Sequence, residues 1–337
     1  MTMKKKTSIS DIAKALGISI TTVSFILNGK AKERRISEAL TKRVLDYVKK
    51  VGYKPSQLVR NARGGQTKIL AVLVEDMGNP FFLDVGRHIE RMAAESGYHV
   101  VHCSTANDTQ KTRQLIRFCV DKEIDGVMMV PCEDLEDAIL KLKKQQIPVV
   151  LFDRFIPTME TSYVISRNRD GAYDATKHLL EMGSSRVGLI SLYSNQTQMR
   201  GRLDGYMEAM DEFRSPSFIK KLNSDAEMGE TGAQIVEFIV DNKLEAVLFA
   251  NHSLAIMGLQ AVKDKAVALP RMVVFDDHML FALHTPTISV VEQDAEQFAV
   301  ELMQTMMAEI DGKLKEERKV EVPCKLIVRE SSTAQPV

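Results

Sequence analysis

Ser8–Gly29 reads SISDIAKALGISITTVSFILNG, and its spacing decides the fold of the N-terminal segment. Ser8 followed three residues later by Asp11 is a capping box: the hydroxyl satisfies an orphan backbone donor, and the carboxylate sits at the positive end of the helix. Ile9, Ile12, Ala13 and Leu16 then recur at helical spacing and form one apolar face. Gly17 can take the left-handed conformation that stops this helix, with Ile18 packed beneath the turn. Ser19 caps a second helix whose buried side is Val23, Ile26 and Leu27, which leaves Ile20, Thr21, Thr22, Ser24 and Phe25 facing outward. Asn28-Gly29 ends it with two residues that tolerate positive φ. A third helix is expected from Ser37 to about Val51, with Leu40, Val44, Leu45 and Val48 as its stripe and Gly52 as its stop. The segment 1–54 therefore predicts a three-helix helix-turn-helix head.

Charge says what such a head meets. Residues 1–66 hold 15 Lys/Arg against 4 Asp/Glu, a net of +11, while residues 67–337 carry 30 against 41, a net of −11. A neutral average thus hides a basic head and an acidic body. The head has the salt-dependent phosphate affinity of a double-stranded DNA binder, whereas the body would be repelled by DNA. Caps, turn glycine, core and charge agree, and that agreement separates this segment from an ordinary solvated helix.

A change of character follows. Pro55 stops the head, Ser56 to Arg63 has the composition of a short helix, and Gly64-Gly65 makes the end of the segment pliable, so residues 55–66 read as a hinge that is helical when DNA holds it. From Lys68 the pattern alternates. Ile69–Val74, His99–Cys103, Gly126–Val130 and Val149–Phe152 read as strands, with helices expected at Phe82–Ser96, Thr109–Lys122 and Leu135–Gln145 between them. A second series has strands Val187–Ser191, Ala246–Ala250 and Met272–Phe275, with helices Gly171–Met182, Arg200–Glu212, Glu230–Asn242 and Leu254–Lys263. The tail adds strand Ser289–Val291, helix Ala295–Ile310 and a strand near Cys324–Val328. Strands alternating with helices imply parallel sheets covered on both faces. The expected body, 67–337, has two doubly wound lobes, one of about 67–165 plus 294–328 and one of about 166–293.

Open α/β sheets bind ligands at the C-terminal ends of their strands, where a cleft between lobes can form. Those addresses are Glu75-Asp76, Asp153-Arg154, Asn251-His252 and Asp276-Asp277. Carboxylates and amides facing a cleft suit the vicinal hydroxyls of a sugar. The same acids would equally serve as caps of the next helix.

Composition removes other classes. No stretch approaches the ~20 apolar residues of a membrane span, and the N-terminal MTMKKKTS has no apolar leader core, so no membrane association and a cytoplasmic location are expected. Cys103, Cys119, Cys132 and Cys324 lie far apart with no CxxC pair, so they read as reduced thiols with no metal site, and no cofactor is expected. GxGxxG after a strand, GxxxxGK[ST] and GxSxG are all missing, which disfavours an enzyme. A sugar-binding receptor without a transcriptional role would not need the basic head.

Over essentially its whole length the chain resembles the lac repressor (LacI/GalR) family of bacterial transcription regulators. The resemblance rests on DIAKALGIS and TTVSFILNG in the head, Gly52-Tyr53 and Pro55, NPFF at Asn79–Phe82, IDGVMMVP at Ile124–Pro131, FDR at Phe152–Arg154 and RLDGY at Arg202–Tyr206. It continues in FANHSLAIMGL, VVFDD and LIVRESS. It implies an N-terminal helix-turn-helix head on a periplasmic-binding-protein-like body of two doubly wound parallel-sheet lobes. It also implies a homodimer, a palindromic operator, and a small effector in the cleft that changes DNA affinity, as inducer or as corepressor. Arg202 and Asp276 would hold effector hydroxyls, with Asn251, Asp153 and Arg154 beside them and Asp76 and Phe82 on the other lobe. Ile20, Thr21 and Phe25 stand where the family places base-reading side chains. Ser8, Ser19, Thr22, Ser24 and Asn28 complete the DNA-facing set of the head, and Arg60, Ala62 and Arg63 that of the hinge.

Several positions depart from the family pattern. Phe25 stands where Arg or His is frequent, and a phenyl ring cannot make a bidentate contact to guanine, although it can touch a thymine methyl. Ala62 replaces the leucine that wedges into the minor groove, which puts strong kinking in doubt, while Arg60 and Arg63 retain the means to reach phosphates. His252 and Arg167 stand where aspartates are usual. With Arg154, Arg200 and Arg202 they suggest a cleft that neutralises a phosphorylated or carboxylated sugar better than a plain one. The alternative is that Arg154 pairs with a carboxylate and Arg167 faces solvent. The chain carries no leucine heptad tail, so nothing beyond a dimer is indicated.

Overall fold

A computed structural model describes residues 8–27, 29–51, 66–223 and 227–333. The chain divides into two compact units, Met1–Thr67 and Lys68–Val337.

The first unit is built by local signals. Helix α1, Ile9–Leu16, starts at Ser8, whose hydroxyl accepts from the Asp11 amide at 3.2 Å while the Asp11 carboxylate accepts from the Ser8 amide at 2.9 Å. Gly17 ends it at φ +67°, and α2, Ile20–Leu27, follows at 111° to α1, inside the range of helix-turn-helix pairs. The Ser19 hydroxyl caps α2 by accepting from the Thr22 amide at 3.0 Å. Helix α3, Glu38–Val51, closes a core of Ile12, Ala13, Leu16, Val23, Ile26 and Val44. Each such burial contributes roughly 1.5–3 kcal/mol for the larger side chains. Two expectations need correction. Ser24 faces inward and is 4% exposed, because it lies one position from Val23 on the buried side of a helix with no charged residue. Leu45 is 47% exposed, and Tyr47, with Leu40 and Val48, packs against the core instead. Asn28 and the hinge residues Arg60, Ala62 and Arg63 lie outside the described residues.

The second unit contains strands β1 Ile69–Val74, β2 His99–Ser104, β3 Gly126–Met129, β4 Val149–Phe152, β5 Ser162–Ser166, β6 Val187–Leu192, β7 Phe218–Leu222, β8 Ala246–Phe249, β9 Arg271–Phe275, β10 Ser289–Gln293, β11 Lys319–Val322 and β12 Cys324–Ile327. They form two six-stranded sheets, β11-β5-β4-β3-β1-β2 and β12-β10-β9-β8-β6-β7. All pairings are parallel except β10 with β12. The central strands, ILAVLV, GVMM, VVLF and AVLF, are apolar throughout because helices cover both faces. The outer strands HVVHCS and FIKKL carry polar residues, which blunts the edges.

Apart from β11 and β12, the five strands of each sheet follow the same order, so the two lobes repeat one winding. Helix Ala295–Ile310 packs on the first sheet, where Phe298 meets Phe81 with ring centroids 5.3 Å apart. The chain then crosses: β11 pairs with β5 in the first sheet, and β12 pairs with β10 in the second. Cys324–Ile327 therefore belongs to the second lobe, not to the first as the sequence suggested. Strands β5, β7 and β11 escaped the sequence reading because SYVIS, FIKKL and KVEV mix polar and apolar residues over only four or five positions. Helices Asn168–Glu181 and Thr197–Glu212 pack with their backbones close, and Gly205 makes this possible: a Cβ there would lie 2.1 Å from the Arg169 carbonyl oxygen.

Candidate functional site

On the head, the surface of α2 is short and uncharged. Ile20 is 50% exposed, Thr21 is exposed, and Thr22 is half-buried with its hydroxyl 2.8 Å from that of Ser19. Phe25 is half-buried too, with the Arg34 guanidinium 4.8 Å above its ring, so the phenyl group holds an arginine instead of standing free. Ser8 and Ser19 spend their hydroxyls on the caps. Around this face Lys14, Lys30, Lys32, Arg34 and Arg35 are exposed, which places cationic side chains where a polyanion can reach them.

In the body, the strand ends of the two sheets converge on a cavity of about 380 Å³. Glu75, Asp76, Asn79, Phe81 and Phe82 follow β1, and Asp153 follows β4. From the second sheet come Gln196, Gln198, Met199 and Arg202 after β6, Asn251 and His252 after β8, Asp276 after β9, and Gln293 at the end of β10. Of the predicted effector residues the fold thus brings Asp76, Phe82, Asp153, Arg202, Asn251 and Asp276 together around one space.

Asp153 and Asp276 occupy equivalent places. Each has a left-handed backbone, φ +65° and +75°, and each donates its amide to the neighbouring strand at 3.0 Å, Asp153 to Val164 and Asp276 to Val291. Such a backbone costs a non-glycine residue about 1–3 kcal/mol, and it turns both carboxylates off the strand ends. Their surroundings differ. Asp276 lies 3.6 Å from Arg202 Nη1 and 3.7 Å from His252 Nδ1, and accepts from Gln293 Nε2. Burial pushes its carboxyl up, but Arg202, His252 and Gln293 outweigh burial and hold it below the ordinary value. For Asp153 burial wins over Arg154 and Arg202, and the carboxyl is raised to about 6.

Arg202 is held by four contacts. Nε donates to Asn168 Oδ1 at 2.9 Å, Nη1 donates to the Ala250 carbonyl at 2.5 Å and faces Asp276, and the guanidinium lies 3.7 Å from the centre of the Phe275 ring. Asn251 caps helix His252–Asp264 through Oδ1, which accepts from the Leu254 amide at 2.9 Å. The capping role foreseen for strand-end residues and a lining role therefore coexist in one side chain.

The expected cluster of cations does not assemble. Arg154 is 2% exposed and lies behind the lining, its Nη2 donating to Glu75 Oε2 at 2.6 Å, while Nε and Nη1 are buried without a hydrogen-bond partner. It borders a neighbouring cavity of about 320 Å³ together with Gln196. Arg167 and Arg200 are exposed, Arg167 lying 4.0 Å from Asp170. Among the described residues, the basic side chains that reach the cavity are Arg202 and His252, opposite Glu75, Asp76, Asp153 and Asp276. Gln293 was missed in the sequence because β10 extends two residues beyond Val291; the strand-end rule would otherwise have found it. Gln196 and Gln198 carry no sequence signal, since helix Thr197–Glu212 begins three residues earlier than expected. Among the described residues no group of three His, Cys, Asp or Glu is placed to hold a metal ion, and no single helix is long and apolar enough to cross a membrane.

Comparison with known proteins accounts for both halves. The profile of bacterial regulatory proteins of the lacI family matches residues 8–56, and that of the periplasmic binding protein domain matches residues 70–314. The chain belongs to the periplasmic binding protein domain family through its body and carries the head of the lacI family of bacterial regulatory proteins. Similar to this chain is the HTH-type transcriptional regulator DegA of Bacillus subtilis (strain 168), 28% identical over 335 residues, with 97% of the chain and 98% of DegA covered. The lac repressor dimer bound to operator and the anti-inducer ONPF shares the fold with a TM-score of 0.78, at 17% identity over 98% of this chain and 100% of that one. The transcriptional regulator CelR in complex with cellobiose does so with a TM-score of 0.69, at 22% identity, covering 96% and 99%. The chain is therefore a DNA-binding transcription regulator with a helix-turn-helix head and an effector-binding body.

Proposed function

We propose that this regulator is a cytoplasmic repressor that binds a palindromic operator as a homodimer and changes its DNA affinity when a monosaccharide-sized sugar or sugar derivative occupies the cavity of the body. The observation that carries the reading is the pair of equivalent acids, Asp153 and Asp276, set at the mouths of two sheets around a cavity of about 380 Å³, with the buried Arg202 paired to Asp276. That volume lies at the small end of ligand pockets, and the lining mixes hydrogen-bonding groups with the apolar Phe82, as a polyol with one hydrophobic ring face requires.

Asp76, Phe82, Asp153, Arg202, Asn251 and Asp276 hold the effector, and Arg154 backs them from behind the lining with its charge met by Glu75. Residues 1–54 form the reading head and 55–66 the hinge, with Ile20, Thr21 and Phe25 reading bases and Arg60, Ala62 and Arg63 meeting the groove. Two heads are needed because one reads too few base pairs to be selective, each mismatch costing ~1–3 kcal/mol. An effector that binds one lobe arrangement better than another shifts the population, and DNA affinity shifts with it. The test is operator selection from random DNA with the full chain, followed by a salt-dependent gel shift with and without a panel of sugars. Failure to enrich a two-fold sequence would refute the homodimeric reader, and a shift that no sugar alters would refute the effector.

A further inference from the structure

We infer that the effector is a positively charged polyol, a monosaccharide-sized molecule carrying ring hydroxyls and one ammonium group. The inference rests on the effector reading above and sharpens it through the charges around the cavity, taken pair by pair. Glu75 is matched by Arg154 at 2.6 Å. Asp276 is matched by Arg202 at 3.6 Å, with His252 Nδ1 and Gln293 also turned to it. Two carboxylates remain. Asp76 is exposed, and among the described residues its carboxylate accepts only from the Gly78 amide at 2.8 Å. Asp153 is 92% buried by its 8% exposure, lines the cavity, and takes no hydrogen bond and no contact ion pair through its carboxylate among the described residues.

A buried carboxylate without a partner is costly, and native proteins normally pair it. Facing Asp153 are Arg154 on its own loop, Arg202 from the second lobe, and the acids Asp276 and Glu75; each arginine is already matched by one of those acids. An ammonium group in the cavity would complete the set. The left-handed backbone of Asp153 has the same sense, since a strained conformation is retained where the side chain it aims has work to do. An anionic effector meets the reverse: the Arg202 charge is met by Asp276, its Nε and Nη1 are bonded to Asn168 and Ala250, and a phosphate would add charge beside Asp153 and Asp76. Arg154 lies behind the lining with its charge met by Glu75, so it offers no counter-charge to an anion in the cavity.

The raised Asp153 carboxyl adds a signature. Its folded value of about 6 lies above the ordinary one, so the empty site is partly protonated near pH 6, and a bound cation favours the ionised form. Affinity for the cation therefore rises from pH 5 to pH 7 and then levels, with a proton released on binding in the lower part of that range.

The test is calorimetric titration of the full chain with matched sets built on one ring: the neutral hexose, its amino sugar, its uronic acid and its 6-phosphate, for the gluco, galacto and manno series. The expected result is that an amino sugar binds about tenfold or more tightly than its neutral parent, the least coupling of a close desolvated charge pair. Asp153→Asn, which keeps shape and tolerates the left-handed backbone, should bring the ratio of amine to neutral-sugar affinity down to about one and remove its pH dependence, whatever the change in neutral-sugar affinity itself, with the melting temperature not lowered; a ratio left unchanged overturns the inference. A neutral parent binding as tightly as its amine, or an acidic member binding best, overturns the inference and leaves the sugar-responsive regulator standing. Binding by no member of any set overturns both.

Discussion

Replacing Arg202 with Met removes a cation that is 3% exposed and leaves Asp276 buried beside it. Methionine restores most of the volume, so the loss is electrostatic: the ion pair at 3.6 Å, the bond to Asn168 at 2.9 Å and that to Ala250 at 2.5 Å. Removing one partner of a buried pair costs roughly 3–5 kcal/mol. At about 2 °C per kcal/mol for a unit of this size, that lowers the melting temperature of the body by roughly 6–10 °C. The pH dependence carries the diagnosis. In the native protein Asp276 is held below its ordinary value, so its contribution is present above the unfolded value of about 3.9 and is lost only as pH falls through the folded one. Without Arg202, burial is opposed by His252 and Gln293 alone and the carboxyl rises above its unfolded value. The variant then gains stability relative to the native protein as pH falls from 7.5 to 5, on top of the pH dependence that Asp153, raised to about 6, gives to both. Urea denaturation at the two pH values, with Asp276→Asn and the double variant completing a cycle, measures the coupling. A loss below about 1 kcal/mol with no pH dependence would refute the assignment of Arg202 as the counter-charge of Asp276.

Gly205→Ala should cost about 3 kcal/mol or more, because the new Cβ would meet two backbone atoms, the Arg169 carbonyl oxygen at 2.1 Å and the Tyr173 nitrogen at 2.8 Å, neither of which can swing away; Gly201→Ala, 3.2 Å from the Asn168 Cβ, should cost far less in the same denaturation assay. Ser8→Ala should lower the stability of the head by about 1 kcal/mol through loss of the capping box, read as an earlier first transition with the body transition unmoved. Thr21→Ala should change operator preference in a selection without moving the melting of the head, whereas Ser24→Lys should melt the head on any DNA because its site is buried. Phe25→Arg should shift the selected operator toward guanine at one position of each half-site; an unchanged consensus would show that residue 25 reads nothing.

Much of the architecture was legible because its determinants are local. The Ser8–Asp11 box, Gly17 and Ser19 act within four residues, so the head could be drawn from spacing alone. Apolar runs such as ILAVLV and VVLF mark strands covered on both faces, and strand ends then mark the lining, which is how Asp76, Asp153, Asn251 and Asp276 were found. Short mixed strands were lost, since four residues such as KVEV carry too little periodicity to register. With β10 ended too early, Gln293 went with them.

What the sequence by itself determined, then, is the class of the protein and the addresses of its sites: a capped basic head, two windings of one α/β pattern, and polar residues at their strand ends. Charge balance at those addresses was decided only by the tertiary structure. Arg154 finds Glu75 across 79 positions, Arg202 finds Asn168 across 34 and Ala250 across 48, and Arg167 and Arg200 face solvent. Residues that read as a cationic cleft became an acidic one with Asp153 left over. The physical reason is range: caps and periodicity act along a few residues of chain, whereas the partner of a buried charge is set by which strands lie side by side, and sheet order is a property of the whole fold.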